Sequence, residues 1–471
     1  MNENESEKIT LRTKLAFACG EVGDNVALNT FTFLIFTFYF AVVGIPTTLM
    51  TLGFILWALW NAVNDPLIGY LSDKTKSRWG RRIPWMIGAA IPLGVLMILL
   101  FTPPSTYEES PSVFLYFIII LILFDIAYTS FNLNYNALFS EMFVEMKTRS
   151  ATGRIRIIFV LLATMFALVF PTFIIEDITN EDPITHPNTP YQYIFTGIVA
   201  AGIIFVFFYL ILVWGTKDPK HISKDAESSM SFINTVKFTF KHKSFLWFLF
   251  PALGTWLVIN ILPTLAPLFF THAVGIQDSE LIGILLLIDF LIAAASTPLW
   301  EKIRVKKGAR MCGMIGIAVW LVAVLLFAYS TNFMMALIFM LINGLGLGGG
   351  LYFYDQCIAE IIDEDEITYG VRRSGIYYAV LNFLIRLSMI LNFVIIGMVF
   401  TSTDWMNYDP NPGVDVILGL RILMGIYPAI VLGLSLIGMY FYPIKGERLK
   451  KNRQKLTELH DKKKSSIEKL L

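Results

Sequence analysis

Apolar residues fill twelve stretches of this 471-residue chain, and short polar segments separate one stretch from the next. Each stretch is close to the roughly 20 residues that a helix needs to cross a lipid bilayer. The stretches cover residues 15–43, 48–71, 83–102, 112–139, 155–176, 191–214, 245–271, 279–300, 309–329, 334–356, 374–400 and 417–442. This pattern predicts an all-α polytopic membrane protein with twelve transmembrane helices in two six-helix bundles.

The composition favours a membrane protein, since 56% of the residues are hydrophobic and only 15% are charged. So little polar material cannot cover a soluble globule of this size. The three cysteines lie in or near apolar stretches and predict no disulfide framework. The polar N-terminal segment predicts that no cleavable signal peptide precedes the first helix.

Lysine and arginine are confined to one side of the predicted membrane. Of the 37 such residues, 35 lie in the two terminal segments and in the loops that follow every second helix, and the other loops carry none. Positively charged loops stay in the cytoplasm, so both termini are predicted to be cytoplasmic. We expect a multi-pass protein of the plasma membrane that acts as a monomer.

The longest polar connection divides the chain into two halves. We predict an N-terminal six-helix bundle over residues 1–214, a cytoplasmic linker over 215–243, a C-terminal six-helix bundle over 244–443 and a basic cytoplasmic tail over 444–471. A basic turn with the same spacing follows the second and the eighth stretch. Its matching positions are Asp73, Gly80 and Arg82 in one half and Glu301, Gly308 and Arg310 in the other. Such a repeat is expected for two parallel halves.

Signatures of soluble catalysis are missing from the sequence, which has no metal-spaced His/Cys cluster, no P-loop and no G-x-S-x-G motif. The glycine-rich segment 344–350 lies inside a predicted helix and favours close helix packing over phosphate binding. We therefore expect no enzyme, no cofactor and no nucleic acid partner. The energy for any transport would come from an ion gradient.

Carboxylates lie inside three predicted helices of the N-terminal half, at Glu21 and Asp24, at Asp65 and at Asp125. A charged side chain at the centre of a membrane helix costs about 2.5–3.5 kcal/mol on insertion scales, so these groups must face protein, water or an ion. Asp125 is the deepest. Its alternative role, an internally hydrogen-bonded structural acid, needs a partner that the flanking sequence does not supply.

The second helix combines amide and carboxylate oxygens with a loosened backbone. Asn61 and Asp65 are four residues apart and share a face, while Asn64 and Asp65 precede Pro66. Oxygen-rich side chains of this kind suit a hard cation or a proton. The alternative is a polar cap for the kink at Pro66.

The C-terminal half offers fewer candidates. Arg386 is the only cation deep in a predicted helix there, and it would pair with a carboxylate or bond solute hydroxyls. Tyr377 and its neighbour Tyr378 precede it by about two turns and are candidates for stacking on a solute ring. The sequence leaves the role of Asp289, in the eighth stretch, undecided.

Charged residues at the cytoplasmic ends of the helices predict an inner gate of ion pairs that break when the site opens inward. An acidic cluster follows the tenth stretch, and the repeated basic turns lie on the same side of the membrane. The predicted gate residues are Asp73, Arg81, Arg82, Glu301, Arg310, Asp363, Asp365, Arg372 and Arg373.

Motifs distributed over nearly the whole chain carry a resemblance to one family. They are Gly20-x-x-Gly23-Asp24-Asn25, Trp60-Asn61-Ala62-Val63-Asn64-Asp65-Pro66, Ser77-Arg78-Trp79-Gly80-Arg81-Arg82, Tyr135-Asn136-Ala137-Leu138 and Gly370-x-Arg372-Arg373-x-Gly375-x-Tyr377-Tyr378. With them the chain resembles the glycoside–pentoside–hexuronide:cation symporters of the major facilitator superfamily, the melibiose-permease type. The resemblance implies a two-bundle fold with alternating access, a central sugar-sized cavity and a cation site beside it in the N-terminal bundle.

The resemblance also implies roles for individual residues. Asp65 matches one of the family's two cation carboxylates, and Asn64 matches a neighbouring polar position. Asp125 matches the carboxylate that touches the sugar near the cation. Arg156 matches an arginine of the sugar site, with Arg154 as the alternative register. Arg386 stands in the place of a lysine of the eleventh helix.

Three departures weaken the match to a galactoside carrier. Asn61 replaces the other cation aspartate, Asn25 stands in the place of a sugar-binding aspartate with Asp24 one position earlier, and Thr129 replaces a tryptophan that stacks on the galactose ring. We expect cation-coupled symport of a sugar or glycoside-like solute, with Na⁺ and H⁺ both open as the coupling ion. The alternatives are a sodium-linked carrier of an amphiphile such as a lysolipid, and a membrane receptor or scaffold that does not transport.

Overall fold

The computed structural model describes residues 10–143, 146–180, 184, 186–216, 239–370 and 374–468. These residues are helical apart from short connections, and no β-strand occurs among them. The helices are α1 Leu11–Thr37, α2 Thr47–Lys74, α3 Ile83–Leu99, α4 Ser112–Met142, α5 Met146–Ile174, α6 Thr189–Leu210, α7 Lys243–Leu268, α8 and α9 within Ser279–Phe327, α10 Phe333–Tyr369, α11 Ser374–Ser402, α12 Val414–Phe441 and α13 Gly446–Glu468. Helices satisfy their own backbone hydrogen bonds, which lipid cannot do.

Length and apolar composition identify nine segments of the described chain as able to cross a membrane. That number treats Ser279–Phe327 as one helix, although Gly308 has a non-helical backbone that divides it into α8 and α9. It also omits α3, which has 17 residues, and α2, which carries the polar groups of the candidate site. Counted with these, the fold has twelve membrane-spanning helices, which confirms the prediction.

The glycine of the repeated basic turn has the same backbone φ in both halves. Gly80 has φ 86° and Gly308 has φ 85°, a left-handed conformation that glycine adopts without steric cost. The flanking residues differ, because 75–82 form a loop and 301–307 are helical.

Glycines of α10 allow close approach to two neighbouring helices. A side chain at Gly344 or Gly348 would meet the backbone of α8, and one at Gly346 would meet the backbone of Trp320 in α9. The glycine-rich segment 344–350 therefore serves packing, as the sequence indicates.

The described chain forms two compact units. The first consists of Met1–Ser228, Pro263–Leu287 and Phe393–Leu420, and the second of Ser229–Leu262, Ile288–Asn392 and Arg421–Leu471. The first unit thus contains the N-terminal six helices together with parts of α7, α8, α11 and α12.

Within the first unit, these later segments pack at the side that the charge pattern predicts to be extracellular. The ring of Phe54 stacks on Phe393 with centroids 3.9 Å apart and an interplanar angle of 6°. The backbone N–H of Thr47 donates to the carbonyl of Met406 at 2.7 Å. The hydroxyl of Ser279 donates to the carbonyl of Glu176 at 3.0 Å. We call these three contacts the outer contacts.

Within the second unit, the tail helix α13 binds the C-terminal end of α10. Arg448 forms an ion pair with Glu364 at 2.7 Å, and Asn452 donates to the same carboxylate at 3.2 Å. The hydroxyl of Ser244 donates to Glu364 at 2.6 Å. A buried carboxylate thus connects three segments of this unit.

Candidate functional site

A carboxylate of α4 is enclosed by two amides of α2. Asp125 is 2% exposed and accepts a hydrogen bond on each of its side-chain oxygens. Asn61 donates to Oδ1, and Asn64 donates to Oδ2 at 2.8 Å and to the backbone carbonyl of Asp125 at 3.1 Å. The sequence pairs Asn61 with Asp65 on one face of α2. The structure shows that Asn64 also faces α4.

Two further oxygens border this cluster. The hydroxyl of Thr129, one turn after Asp125, donates to Asp65 at 3.2 Å. The side-chain oxygen of Asn64 is buried and accepts no hydrogen bond from any of the described residues. A buried oxygen without a donor is costly unless a ligand supplies the missing interaction. We call the residues Asn61, Asn64, Asp65, Asp125 and Thr129 the α2–α4 cluster.

A second carboxylate is held between α1 and α4. Asp24 is 6% exposed, and the amide of Asn132 donates to both of its oxygens at 2.9 Å. The phenol of Tyr128 donates to it at 3.4 Å. Both of these hydrogen-bond donors are neutral, so they orient the carboxylate without neutralising it.

Arg156 of α5 lies beside this carboxylate. It forms an ion pair with Glu21 and donates to the side-chain oxygen of Asn136 at 2.7 Å. Its guanidinium lies 4.3 Å from the ring centroid of Phe139 and 4.8 Å from that of Tyr135, distances at which cation–π attraction operates. The arginine is thus held in place by several groups.

The amide of Asn25 completes this region. It donates to the backbone carbonyl of Glu21 at 2.9 Å and to its carboxylate at 3.1 Å. Glu21 therefore connects Asn25 to Arg156. The residues Glu21, Asp24, Asn25, Asn132, Asn136 and Arg156 are called the α1–α4–α5 cluster below.

One face of α4 contributes to both clusters. Asp125, Thr129, Asn132 and Asn136 follow one another at three- or four-residue steps, and Tyr128 directly precedes Thr129. At about 100° per residue they span a sector of roughly 100°, and at about 1.5 Å per residue they extend over roughly 16 Å. A single rigid helix thus joins the two polar groups.

The sequence left some of these residues without a role. Asn132 is the main partner of Asp24, and Glu21 is the ionic partner of Arg156. Helical spacing from Asp125 and from Asp24 could have identified Asn132 and Glu21 as residues on the same faces. The partner of such a residue is known only when the position of the neighbouring helix is known.

The candidate residues of the C-terminal half lie in the second unit, whereas both clusters lie in the first. Tyr377 is fully buried and its phenol donates to Asp365 at 3.1 Å, so neither face of its ring is open to a solute in this structure. Arg386 lies partly buried on α11, and Asp363 is partly buried near the C-terminal end of α10. A direct role of Tyr377 and Arg386 in solute binding stays a prediction.

The predicted gate residues of the first half form ion pairs with one another. Arg82 pairs with Asp73 at 2.6 Å, and Arg81 pairs with Glu141 of α4 at 2.7 Å. Arg82 also reaches Glu141 at 3.3 Å. The basic turn is thereby tied to the end of α4.

The matching turn of the second half makes different contacts. Arg310 donates to the carbonyls of Met439 and Tyr440 at 3.0 and 2.6 Å, at the end of α12, and Glu301 is exposed. Arg372 and Arg373 lie outside the described residues. The gating roles of all these residues stay predictions.

The oxygens of the α2–α4 cluster could hold a proton or a monovalent cation. Among the described residues there is no group of three or more His, Cys, Asp or Glu side chains placed to bind a metal ion. The α1–α4–α5 cluster offers carboxylate, amide and guanidinium groups, which suit a solute rich in hydroxyls.

Comparison with known proteins places the chain in a family of transporters. The family model described as MFS/sugar transport protein matches residues 16–446. The glucuronide carrier protein homolog of Escherichia coli is 23% identical, over 96% of this chain and 98% of its own length. The sodium-dependent lysophosphatidylcholine symporter 1 of Xenopus tropicalis is 23% identical, over 98% of this chain and 92% of its own.

The fold is similar to that of solved transporters. The crystal structure of the nucleoside transporter NupG superposes with a TM-score of 0.64, covering 92% of this chain and 100% of the other at 13% sequence identity. At that identity the likeness concerns the fold alone.

Proposed function

The chain belongs to the MFS/sugar transport protein family, and on that premise we propose that it carries a sugar-like solute across the membrane together with a monovalent cation, Na⁺ or H⁺. It is a transporter of the symporter type and not an enzyme. The observation that carries the finer proposal is the single face of α4 that contributes to both polar clusters.

The α2–α4 cluster is proposed as the cation site. Asp125 supplies a negative charge whose donors, Asn61 and Asn64, are neutral amides. The buried oxygen of Asn64 and the carboxylate of Asp65 supply further ligand atoms. A hard cation prefers such oxygen ligands, and a proton needs only one of the carboxylates.

The α1–α4–α5 cluster is proposed as the solute site. The carboxylate of Asp24 accepts hydrogen bonds from hydroxyl groups, and the planar guanidinium of Arg156 donates them. Asn132 and Glu21 hold these two groups in position. Positioned donors and acceptors of both kinds favour a sugar, a glycoside or a hexuronide.

Coupling would follow from the shared helix. Cation binding changes the charge at Asp125 and with it the hydrogen bonds of Asn61 and Asn64. Any resulting displacement of α4 moves Tyr128 and Asn132, the partners of Asp24. A solute that contacts Asp24 would then bind more tightly when the cation is present, and the converse holds by reciprocity.

The direct test uses the purified protein in proteoliposomes. Uptake of labelled glucose, methyl glucoside, methyl glucuronide and lysophosphatidylcholine is measured with an imposed inward Na⁺ gradient, an imposed proton gradient, or neither. We expect one polar solute to accumulate with only one of the two gradients. Accumulation that is indifferent to both gradients would contradict symport.

One variant and a matched control test the α1–α4–α5 cluster. Asp24→Asn should abolish solute uptake while leaving binding of radioactive sodium or of protons intact. Asp415→Asn, an exposed aspartate at the start of α12, is the matched control and should behave as the wild type. Normal uptake by Asp24→Asn would remove the α1–α4–α5 cluster from the proposal.

A lysolipid is the second candidate solute. One relative is a lysophosphatidylcholine symporter by name. A cavity of about 710 Å³ in the first unit is lined mainly by apolar residues of α3 and α4, such as Pro92, Leu96, Leu123 and Ile126. Cation-dependent accumulation of lysophosphatidylcholine, with none of the sugars, would favour this candidate.

A further inference from the structure

The second unit contains a buried carboxylate that the proposed function does not use. Asp289 of α8 is 5% exposed, and the amide of Asn343 of α10 donates to its Oδ1 at 2.8 Å. The indole of Trp320 in α9 donates to the side-chain oxygen of Asn343 at 3.0 Å. The indole thereby fixes the amide with its NH₂ group toward the carboxylate.

The internal repeat relates this pair to the α2–α4 cluster. Asp73, Gly80 and Arg82 recur 228 positions later as Glu301, Gly308 and Arg310, and the same offset carries Asn61 to Asp289. In the first half, an amide of the second helix donates to an acid of the fourth helix. In the second half, the second helix holds the acid and the fourth helix holds the amide. An acid and an amide thus face each other between the second and fourth helices of each half, with the two residue types exchanged.

The surroundings of Asp289 contain no described charge that would stabilise its ionised form. No Lys, Arg or His side chain pairs with it among the described residues, and the partners on α9 and α10, Trp320 and Asn343, do not titrate. Gly344 brings the backbone of α10 against that of α8 at this level. A single neutral donor offsets only part of the cost of burying a carboxylate.

The geometry points to Asp289 as a proton-binding site of the C-terminal half, in addition to the cation site proposed on α2 and α4. Exposures of 5%, 2% and 0% for Asp289, Asn343 and Trp320 leave no face for a sugar-sized solute, whereas a proton needs none. Asn343 is the positioning residue of this site. The site goes beyond the proposed function, because it binds a proton whichever ion drives transport.

Infrared difference spectroscopy of the purified full-length protein tests this inference without any solute. Spectra at low and high pH are subtracted, and the C=O stretch of protonated carboxylic acids is followed. We expect the wild type to show a band that is lost in Asp289→Asn and kept in the exposed control Asp415→Asn. A spectrum unchanged in Asp289→Asn, or a wild type without such a band, would overturn the assignment.

A double variant distinguishes loss of the carboxylic acid from loss of the fold. Asp289→Asn combined with Asn343→Asp keeps one acid and one amide but places them as Asn61 and Asp125 are placed in the first half. We expect this variant to fold and to recover a carboxylic acid band. A folded double variant without the band would show that the acid here serves structure only. The result does not depend on transport, so failure of the proposed symport would be seen separately.

Discussion

Replacing Asp125 by asparagine tests the centre of the α2–α4 cluster with almost no change in shape. The carboxylate accepts one hydrogen bond from Asn61 and one from Asn64, and the latter also bonds the backbone carbonyl of residue 125. The new side chain keeps one oxygen acceptor and turns the other position into a donor. The negative charge is lost entirely.

The cost to folding should be small. One amide loses its acceptor, which costs about 1–3 kcal/mol for a buried group. Asn64 can reduce this cost, because its side-chain oxygen has no donor in the wild type and is available to the new NH₂ group. Its bond to the backbone carbonyl is independent of the substitution.

The cost to cation binding should be much larger. Two unit charges about 4 Å apart interact by about 4 kcal/mol at an effective dielectric constant of ~20. Since about 1.4 kcal/mol corresponds to a factor of ten, sodium affinity should fall on the order of 1,000-fold. If the coupling ion is a proton, asparagine cannot bind it at all.

Three measurements on one preparation separate these effects. Thermal unfolding in detergent reports folding, and gradient-driven uptake in proteoliposomes reports coupling. Binding of radioactive sodium, or proton uptake on adding solute, reports the ion directly. The control is again Asp415→Asn, which removes an exposed carboxylate. Gradient-driven accumulation at the wild-type level by Asp125→Asn would refute the reasoning.

Three further outcomes are expected. Gly397→Val should reduce uptake at least tenfold in proteoliposomes, because a side chain there meets Thr51 within the first unit and opposes closure of the outer contacts. Burial lowers the pKa of His242, so below about pH 6.5 the unfolded chain binds more protons than the folded chain. The free energy of unfolding should therefore rise with pH through that range. The thermal unfolding of His242→Gln, measured as a function of pH, should lack this contribution. Arg448→Ala should cost at most about 1 kcal/mol, because its side chain is half exposed, but faster proteolysis of α13 should show the loss of its bond to Glu364.

Much of the fold was determined by the sequence alone. Twelve apolar stretches, their alternating charge and a repeated basic turn predicted twelve helices, because lipid forces each spanning segment to satisfy its own backbone. At Gly308, α8 and α9 follow each other directly, and only this glycine has a non-helical backbone between them. The family followed from short motifs and is confirmed by the family match.

The sequence also identified Asp24, Asp65 and Asp125 as the acids of the N-terminal half that needed an explanation, because an unpaired carboxylate in a membrane helix is costly. It could not assign their partners. Spacing along one helix fixes which residues share a face, but the residue opposite them depends on how the next helix crosses.

Only the tertiary structure decided that Asn132 holds Asp24, that Glu21 holds Arg156, and that Asn61 and Asn64 hold Asp125. It also placed Tyr377 against Asp365 in the interior of the second unit. All of these pairings except that of Tyr377 with Asp365 join helices that are not consecutive in the chain. Their geometry is set by close packing at small residues, which no pattern within a single helix specifies.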